Sequence, residues 1–109
     1  MFPDLDPVLH APARLQLAAL LELLQGGDTL TFPQLQQLTG ATAGNLSTHL
    51  RRLEDAGYVA VTKAYDDRTP VTRVRMSSRG RQALEGYRHG MRRHLDGEHA
   101  RRLLEEVEP

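Results

Sequence analysis

One stretch of the chain, residues 41–57 with the sequence ATAGNLSTHLRRLEDAG, constrains the fold more than any other. Thr42 can cap a helix at its start, because its hydroxyl can accept a hydrogen bond from a free backbone N–H of the first turn. Gly57 can end that helix, because glycine adopts the positive φ of a helix terminus without a steric penalty. Between them, leucines at i, i+4 and i+7 share one side of a helix, namely Leu46, Leu50 and Leu53. The pattern predicts a helix over residues 42–56 whose leucine side faces a core.

The opposite side of this helix combines small and hydrogen-bonding side chains with two guanidinium groups. Its members are Gly44, Asn45, Ser47, Thr48, Arg51 and Arg52. Such a surface can approach a duplex closely, form hydrogen bonds with base edges and place positive charge against phosphates. An ordinary amphipathic surface helix also has a polar outer side. The neighbouring elements must therefore decide between these two interpretations.

The elements before this helix have the order of a helix-turn-helix. Residues 12–25, rich in Ala, Leu, Gln and Glu, predict a first helix. A short extended segment follows at Leu30. Thr31 and Gln34 have the spacing of a capping box and predict a second helix over residues 32–39. The buried edge of that helix is expected to consist of Phe32, Leu35 and Leu38. A helix, a glycine-containing turn and a recognition-type helix thus follow one another.

Residues 58–76 are predicted to form a β-hairpin. Its two arms alternate apolar and polar side chains and contain β-branched residues, as strands do. The turn-rich sequence YDDRTP lies between them. In the second arm, Arg73 and Arg75 fall on the face opposite Val74. With Arg68 in the link, the hairpin presents positive charge at its tip and outer face, as a wing does.

The two ends of the chain are predicted to mediate self-association. Residues 1–9 contain two prolines and predict an irregular arm, whereas residues 77–107 predict a helical region interrupted at Gly97. The first helix has leucines on two opposite sides. Because one side can pack on the domain's own core, we expect the other to meet a second subunit. The predicted seam of this homodimer consists of Leu17, Leu20, Leu21, Leu24, Met91, Leu95, Leu103 and Leu104.

Charge is segregated along the chain, although the formal net charge is zero. Residues 41–93 hold eleven basic and five acidic side chains, a net charge of +6, and the remaining residues carry −6. The positive part contains the predicted recognition helix and the predicted wing, which favours a nucleic-acid partner. The protein has no cysteine, which excludes disulfides and thiolate chemistry. Its single lysine among fourteen basic residues is typical of a bacterial genome of high GC content.

The sequence lacks the signatures of an enzyme and of an exported protein. It contains no nucleophile elbow, phosphate-binding loop, dinucleotide fingerprint or zinc-protease motif. We therefore expect no catalytic residue and no cofactor. The beginning of the chain, MFPDLDPVLH, has no signal-peptide pattern, and no run approaches the ~18 apolar residues of a membrane span. The chain is expected to be one cytoplasmic domain over residues 1–109.

Five histidines raise the question of a metal site. Zinc needs about four ligands that converge on one point, whereas His89, His94 and His99 are each five residues apart and would scatter around a helix axis. No metal site is predicted within one chain. A site between two subunits, built from His94, His99 and neighbouring carboxylates, stays open as an alternative. His49 is expected to pack or to contact phosphate.

The stretch GNLSTHLRRLEDAGYV, followed by a hairpin containing DDR and by RMSSRGRQAL, resembles bacterial winged-helix transcriptional regulators of the MarR/ArsR-like superfamily. It looks closest to their short single-domain winged helix DNA-binding group, and the resemblance covers residues 10–87. It implies a mainly α fold with a small β-hairpin, that is, a winged helix-turn-helix with N- and C-terminal dimerisation helices. It also implies a homodimer that binds an operator in double-stranded DNA, usually as a repressor.

The resemblance further assigns DNA contacts. By position, the groove-facing part of the recognition helix corresponds to Ala43, Gly44, Asn45, Ser47, Thr48, Arg51 and Arg52. Arg68 corresponds to the arginine of the wing tip, which is expected in an adjacent minor groove, and Arg73 is expected on the same side. The alternative function is a winged helix that binds another protein, in which an apolar patch would replace the exposed arginines. No residue identifies an effector.

Overall fold

The computed structural model describes residues 5–107, which contain five helices and three strands. In chain order they are α1 (Pro12–Glu22), β1 (Leu30–Thr31), α2 (Phe32–Thr39), α3 (Ala43–Asp55), β2 (Val59–Asp66), β3 (Thr69–Met76), α4 (Ser78–Leu95) and α5 (Glu98–Val107). This is the predicted order of elements, although α1 ends before residue 25. None of the helices in the described part of the chain is long and apolar enough to cross a lipid bilayer.

The three strands form one antiparallel sheet in the order β1-β3-β2, with β3 in the middle. Only Asp67 and Arg68 separate β2 from β3, so strand pairing extends well into the link that the sequence predicted as a loop. Pro70 is accommodated in β3 because β1 pairs only with Arg73 and Val74. The part of β3 around Pro70 therefore has a free edge, where a missing N–H is tolerated.

The core lies between one face of the sheet and the helices α1 to α4. Its fully buried large side chains are Leu9, Leu17, Leu21, Leu35, Leu46, Leu53 and Val74. The predicted leucine side of α3 is confirmed, since all three of its leucines are buried. The prediction for Leu38 is wrong, because this side chain is 54% exposed. The inner side of α2 runs through Leu35, Gln36 and Thr39 and leaves Leu38 outside it.

The side of α1 that was predicted to contact a second subunit packs in the protomer's own core instead. Leu17 and Leu21, which were assigned to the dimer seam, are only 2% and 0% exposed and lie in the protomer's own core. Ala18 is buried between them, and its small side chain lets α1 pack closely on the rest of the domain. The outer side of α1 instead carries Leu15, Ala19 and Leu23.

The segment before α1 is irregular, as predicted, but it belongs to the core. Leu5 and Leu9 are buried, and the Asp6 carboxylate accepts hydrogen bonds from the Val8 N–H and the Tyr58 hydroxyl. Burial, and next this hydrogen bond, raise the pKa of Tyr58 to about 12. The first four residues of the predicted arm lie outside the described residues.

The first turn of α4 is fixed to the end of α3. The Ser77 hydroxyl accepts from the Gly80 N–H at 3.0 Å and donates to the Gly57 carbonyl at 2.6 Å, and the Ser77 N–H donates to the Tyr58 carbonyl at 3.0 Å. A Cβ added to Gly80 would lie 2.1 Å from that same carbonyl oxygen, so only glycine fits there. Arg81 donates to two carbonyls at the end of α1, each at 2.9 Å. The start of α4 is thus bonded to both neighbouring helix ends.

The last helix, α5, projects away from this body. The molecule extends 71 Å along its longest axis and only 27 and 21 Å along the others. Its radius of gyration is 17.2 Å, whereas a compact chain of this length has a value of about 13 Å. Gly97, with φ of +79°, separates α4 from α5, which confirms the predicted interruption.

Candidate nucleic-acid interface

The helix α3 is held by the capping residues that the sequence indicated. The Thr42 hydroxyl accepts from the Asn45 N–H at 3.2 Å, and Gly57 follows the helix with φ of +80°. Gly40 ends α2 in the left-handed conformation, with φ of +71°. Because this sharp turn leaves only residues 40–42 between α2 and α3, the position of α3 is defined by the preceding helix.

The outer side of α3 is open to solvent along its length. All seven of its predicted contact residues are exposed, namely Ala43, Gly44, Asn45, Ser47, Thr48, Arg51 and Arg52. No atom lies within 4 Å of the point that a Cβ on Gly44 would occupy. The Thr48 hydroxyl donates to the Gly44 carbonyl at 3.0 Å, which leaves its lone pairs as acceptors. The first half of this surface is therefore neutral and flat enough for close approach to a duplex.

Positive charge follows in the middle of the helix. Arg51 and Arg52 are exposed and form no ion pair with other residues in the range 5–107. Glu54 and Asp55 close the helix with negative charge at its far end. The surface thus has a neutral half that suits base edges and a positive centre that suits phosphates.

A polar groove separates α3 from the hairpin, and it contains Lys63, which the sequence pattern did not single out as a contact residue. The groove has a volume of about 260 Å³ and is lined by Ser47, Arg51 and Glu54 from α3 and by Lys63 and Thr72 from the two hairpin strands. Lys63 is the only lysine of the chain and is exposed. The alternation of β2 places Lys63 on the same face as Val59 and Val61, toward α3. That parity was the signal that could have identified it.

The tip of the hairpin is a two-residue turn in a left-handed conformation. Asp67 has φ of +49° and Arg68 has φ of +71°, as the turn that best matches the twist of a hairpin requires. Arg68 is exposed at this tip beside Asp66 and Asp67. The guanidinium of Arg68 is therefore exposed to solvent, but the neighbouring carboxylates of Asp66 and Asp67 offset its positive charge.

Arg73 does not lie with the other predicted contacts. It follows Thr72 and precedes Val74 in β3, both of which face α3 or the core. Since side chains alternate along a strand, Arg73 lies on the opposite face of the sheet, where it is half-buried across from Thr62. The structure therefore brings together the α3 residues and Lys63 but leaves Arg73 on the other side.

The recognition-type helix is braced from behind by α1. The Nδ1 of His49 lies 3.5 Å from an Nη atom of Arg14, whose Nε donates to the Val8 carbonyl at 2.6 Å. His49 is half-buried and also lines a small cavity of about 70 Å³ between α1, α2 and α3. Of the two roles expected for His49, the geometry shows packing.

The histidines of the C-terminal region do not gather into a metal site in the described residues. His94 and His99 contact each other edge to face, with ring centroids 5.1 Å apart. Among residues 5–107, no group of three or more histidine, cysteine or acidic side chains is arranged to hold a metal ion.

The remaining residues of the predicted dimer seam lie at or near the surface. Leu20, Leu24 and Met91 are half-buried, whereas Leu95, Leu103 and Leu104 are exposed. Near these residues, the Arg88 guanidinium of α4 forms an ion pair of 2.8 Å with Glu22 of α1. It forms a second ion pair, of 2.7 Å, with Glu85 of its own helix. Hydrogen bonds to these carboxylates raise the pKa of Arg88.

The exposed second helix of a helix-turn-helix, with a hairpin at its side and a polar groove between them that contains Arg51 and Lys63, defines a winged-helix protein of the DNA-binding class. Comparison with known proteins agrees with this geometry. The chain belongs to the winged helix DNA-binding domain family, and the sequence model of that family matches residues 15–95.

Two relatives extend this result. An uncharacterized protein of Methanocaldococcus jannaschii is 32% identical over 68 residues, which cover 62% of this chain and 74% of that protein. The solved structure of a transcriptional regulator homologue from Pyrococcus horikoshii OT3 superposes with a TM-score of 0.74 at 30% identity, covering 83% of this chain and 86% of that one. The winged-helix fold that the sequence predicted is therefore confirmed.

Proposed function

We propose that this protein is a homodimeric, sequence-specific transcriptional regulator that binds an operator in double-stranded DNA and acts as a repressor. The observation on which the proposal rests is the open outer side of α3, with its neutral first half and unpaired arginines. The similarity to a transcriptional regulator homologue supports it. The finer assignment is to a MarR/ArsR-like regulator acting in a bacterial cytoplasm.

In the proposed complex, α3 enters a major groove with its N-terminal half toward the base edges. Asn45 and Thr48 exchange hydrogen bonds with bases, while Arg51 and Arg52 bind phosphates. Lys63 joins them from β2, because it lines the groove beside Arg51. Two copies would place their α3 helices in successive major grooves about 34 Å apart.

The wing has a secondary role in this proposal. Arg68 contacts the adjacent minor groove, where a narrow A·T-rich stretch attracts a guanidinium. The neighbouring Asp66 and Asp67 limit the attraction of the tip for phosphate, so most of the electrostatic affinity comes from α3 and Lys63. Arg73, on the opposite face of the sheet, is left out of the interface.

The test measures binding to labelled duplex fragments of the host genome at a series of salt concentrations, with fluorescence anisotropy as the readout. Arg52→Ala and Lys63→Ala should each weaken binding to all sequences and reduce the slope of log K against log salt by about one. Arg73→Ala is the matched control, since it removes the same charge from the opposite face and should change neither quantity.

Base reading is tested separately by selecting bound fragments. Asn45→Ala or Thr48→Ala should change which sequences are preferred, at ~1–3 kcal/mol for each lost base contact. The protein-binding alternative predicts an apolar patch on this side, whereas the exposed residues of α3 are polar or small. A wild-type protein that does not bind duplex DNA even at low salt would refute the proposal.

A further inference from the structure

The sheet has a second face, which is turned away from α3 and from the core. Strand alternation places on it every second residue of β3 from Val71 to Arg75, together with their cross-strand partners in β1 and β2. We call this the outer face, and its members are Thr31, Ala60, Thr62, Ala64, Val71, Arg73 and Arg75. None of these side chains is buried, and none belongs to the core cluster. Within the described part of the chain, no element therefore covers the outer face.

The positive charge of the outer face belongs to two arginines without an acidic partner. Arg73 is half-buried and Arg75 is exposed, and neither forms an ion pair with the described residues. Asp66 lies on the same face of β2, but it is four residues, or about 13 Å, beyond Thr62, the partner of Arg73. Asp28 precedes β1, is exposed and pairs with neither arginine. Two guanidinium groups are thus available to an anionic partner.

The two arginines have a regular spacing on a low surface. Since Arg73 and Arg75 are two residues apart in β3, their side chains recur at about 7 Å. Side chains at alternate positions of an extended peptide have the same repeat. The residues opposite the arginines are small, namely Thr62 and Ala60. An extended segment can therefore lie along β3 and present one carboxylate to each guanidinium, whose planar fork binds carboxylates with two hydrogen bonds.

The same features disfavour a nucleic acid on the outer face. The bases of a single strand stack on aromatic side chains, and no member of the outer face is aromatic. A duplex-binding surface contacts about 6–10 phosphates, whereas this face offers only the charges of Arg73 and Arg75. Arginine is, by contrast, enriched among the residues that dominate protein–protein interfaces. A protein partner therefore fits the outer face better.

We propose that the outer face of the sheet binds an extended acidic segment of another protein, with Glu or Asp at alternate positions. Arg73 and Arg75 each bind one carboxylate, and the small side chains of β2 leave room for the backbone of the segment. Because the outer face is opposite to the side that contains α3, the segment and duplex DNA can be bound at the same time. The site goes beyond the proposed function and does not depend on it.

The test uses two labelled peptides of the same composition and charge, one that alternates Glu and Ser and one in which all Glu precede all Ser. Fluorescence anisotropy with the full chain at low salt should show tighter binding of the alternating peptide. Arg73→Gln combined with Arg75→Gln should weaken that binding by about 10-fold, as the loss of two exposed ion pairs predicts. The matched control, Arg51→Gln with Arg52→Gln, removes the same charge from α3 and should leave it unchanged.

A single variant guards against an effect of misfolding. Arg75 is exposed, so Arg75→Glu leaves the core intact and should abolish the preference for the alternating peptide, with an unchanged Tm as the check on folding. Equal binding of the two peptides by the wild type would overturn the proposal. A loss of peptide binding in the α3 double variant alone would also overturn it, because the peptide would then be acting as a mimic of DNA.

Adding duplex DNA separates this site from the DNA-binding surface. The alternating peptide should keep its affinity when the protein is saturated with duplex, and its displacement by duplex would overturn the proposal. Peptide binding by a protein that does not bind DNA would support the outer-face site and refute the proposed function. Salt-dependent DNA binding without peptide binding at about 1 mM would refute the outer-face site and leave the proposed function intact.

Discussion

The contact between Gly80 and the backbone of Tyr58 makes a prediction with a definite sign. In Gly80→Ala, the new Cβ would meet the Tyr58 carbonyl oxygen at 2.1 Å, its carbon at 2.9 Å and the Met76 sulfur at 3.0 Å. Overpacking of this kind costs about 1–3 kcal/mol, and the upper end applies because the closest atom belongs to the backbone. Moving that carbonyl also weakens its hydrogen bond from the Ser77 N–H, at about 1 kcal/mol.

Alanine also favours the helix by about 1 kcal/mol relative to glycine, which offsets part of the loss. We therefore expect Gly80→Ala to lower the free energy of unfolding by about 3 kcal/mol, which corresponds to a Tm lower by roughly 12 °C or more. Urea unfolding followed by circular dichroism measures the first quantity, and a thermal scan measures the second. The denaturant slope m should not change.

Gly86→Ala is the matched control in the same helix. Nothing lies within 4 Å of a Cβ at Gly86, so only the helix preference acts and the variant should be more stable by about 0.5–1 kcal/mol. The two substitutions should therefore move the unfolding midpoint in opposite directions. If Gly80→Ala were as stable as the wild type, the close packing of α4 against the end of α3 would not exist.

Three further predictions concern the caps, the wing and the phenol of Tyr58. Thr42→Ala removes the capping hydrogen bond of α3 and should lower the free energy of unfolding by about 1 kcal/mol in urea titrations; an unchanged midpoint would contradict this cap. Asp67→Asn combined with Arg68→Gly suits the positive φ of both positions, so the double variant should have a higher Tm in thermal scans. Because it lacks the Arg68 guanidinium, its affinity for duplex DNA measured by anisotropy should fall. A loss of both thermal stability and affinity would contradict this prediction. Folding raises the pKa of Tyr58 from 10.0 to about 12, so its contribution to stability is complete below pH 10 and is lost as the pH rises toward 12. Tyr58→Phe should flatten this alkaline fall in urea midpoints measured from pH 9 to 12.

The sequence predicted α3 well because several independent signals agree on it. A capping hydroxyl, a terminal glycine and one leucine side fix its ends and its orientation, so the exposed contact residues followed from the buried ones. The wing strands were also predictable from alternation. The turn was not, because YDDRTP contains residues that favour loops, whereas strand pairing reaches Asp66 and Thr69 and leaves only a two-residue turn.

The sequence could not orient α1, because a helix with leucines on two sides contains no signal for which side is buried. The buried side is the one that carries Ala18 together with Leu17 and Leu21, and it is selected only when the other elements pack against α1. Lys63 was missed for a similar reason. Its strand parity was visible, but the groove that it shares with Arg51 exists only after the hairpin packs beside α3.

The bonds around Ser77, Gly80 and Arg81 fix the first turn of α4 to the ends of α1 and α3, and the ion pair of Arg88 with Glu22 holds the middle of α4 to α1. The eighteen residues of α4 span about 27 Å, so a rotation of α1 and α4 together by about 5° relative to α3 displaces the free end of α4 by ~2 Å. In the proposed dimer that free end meets the other copy. We therefore expect a change in the association of the two copies to alter the angle of α3, and with it the affinity for the operator.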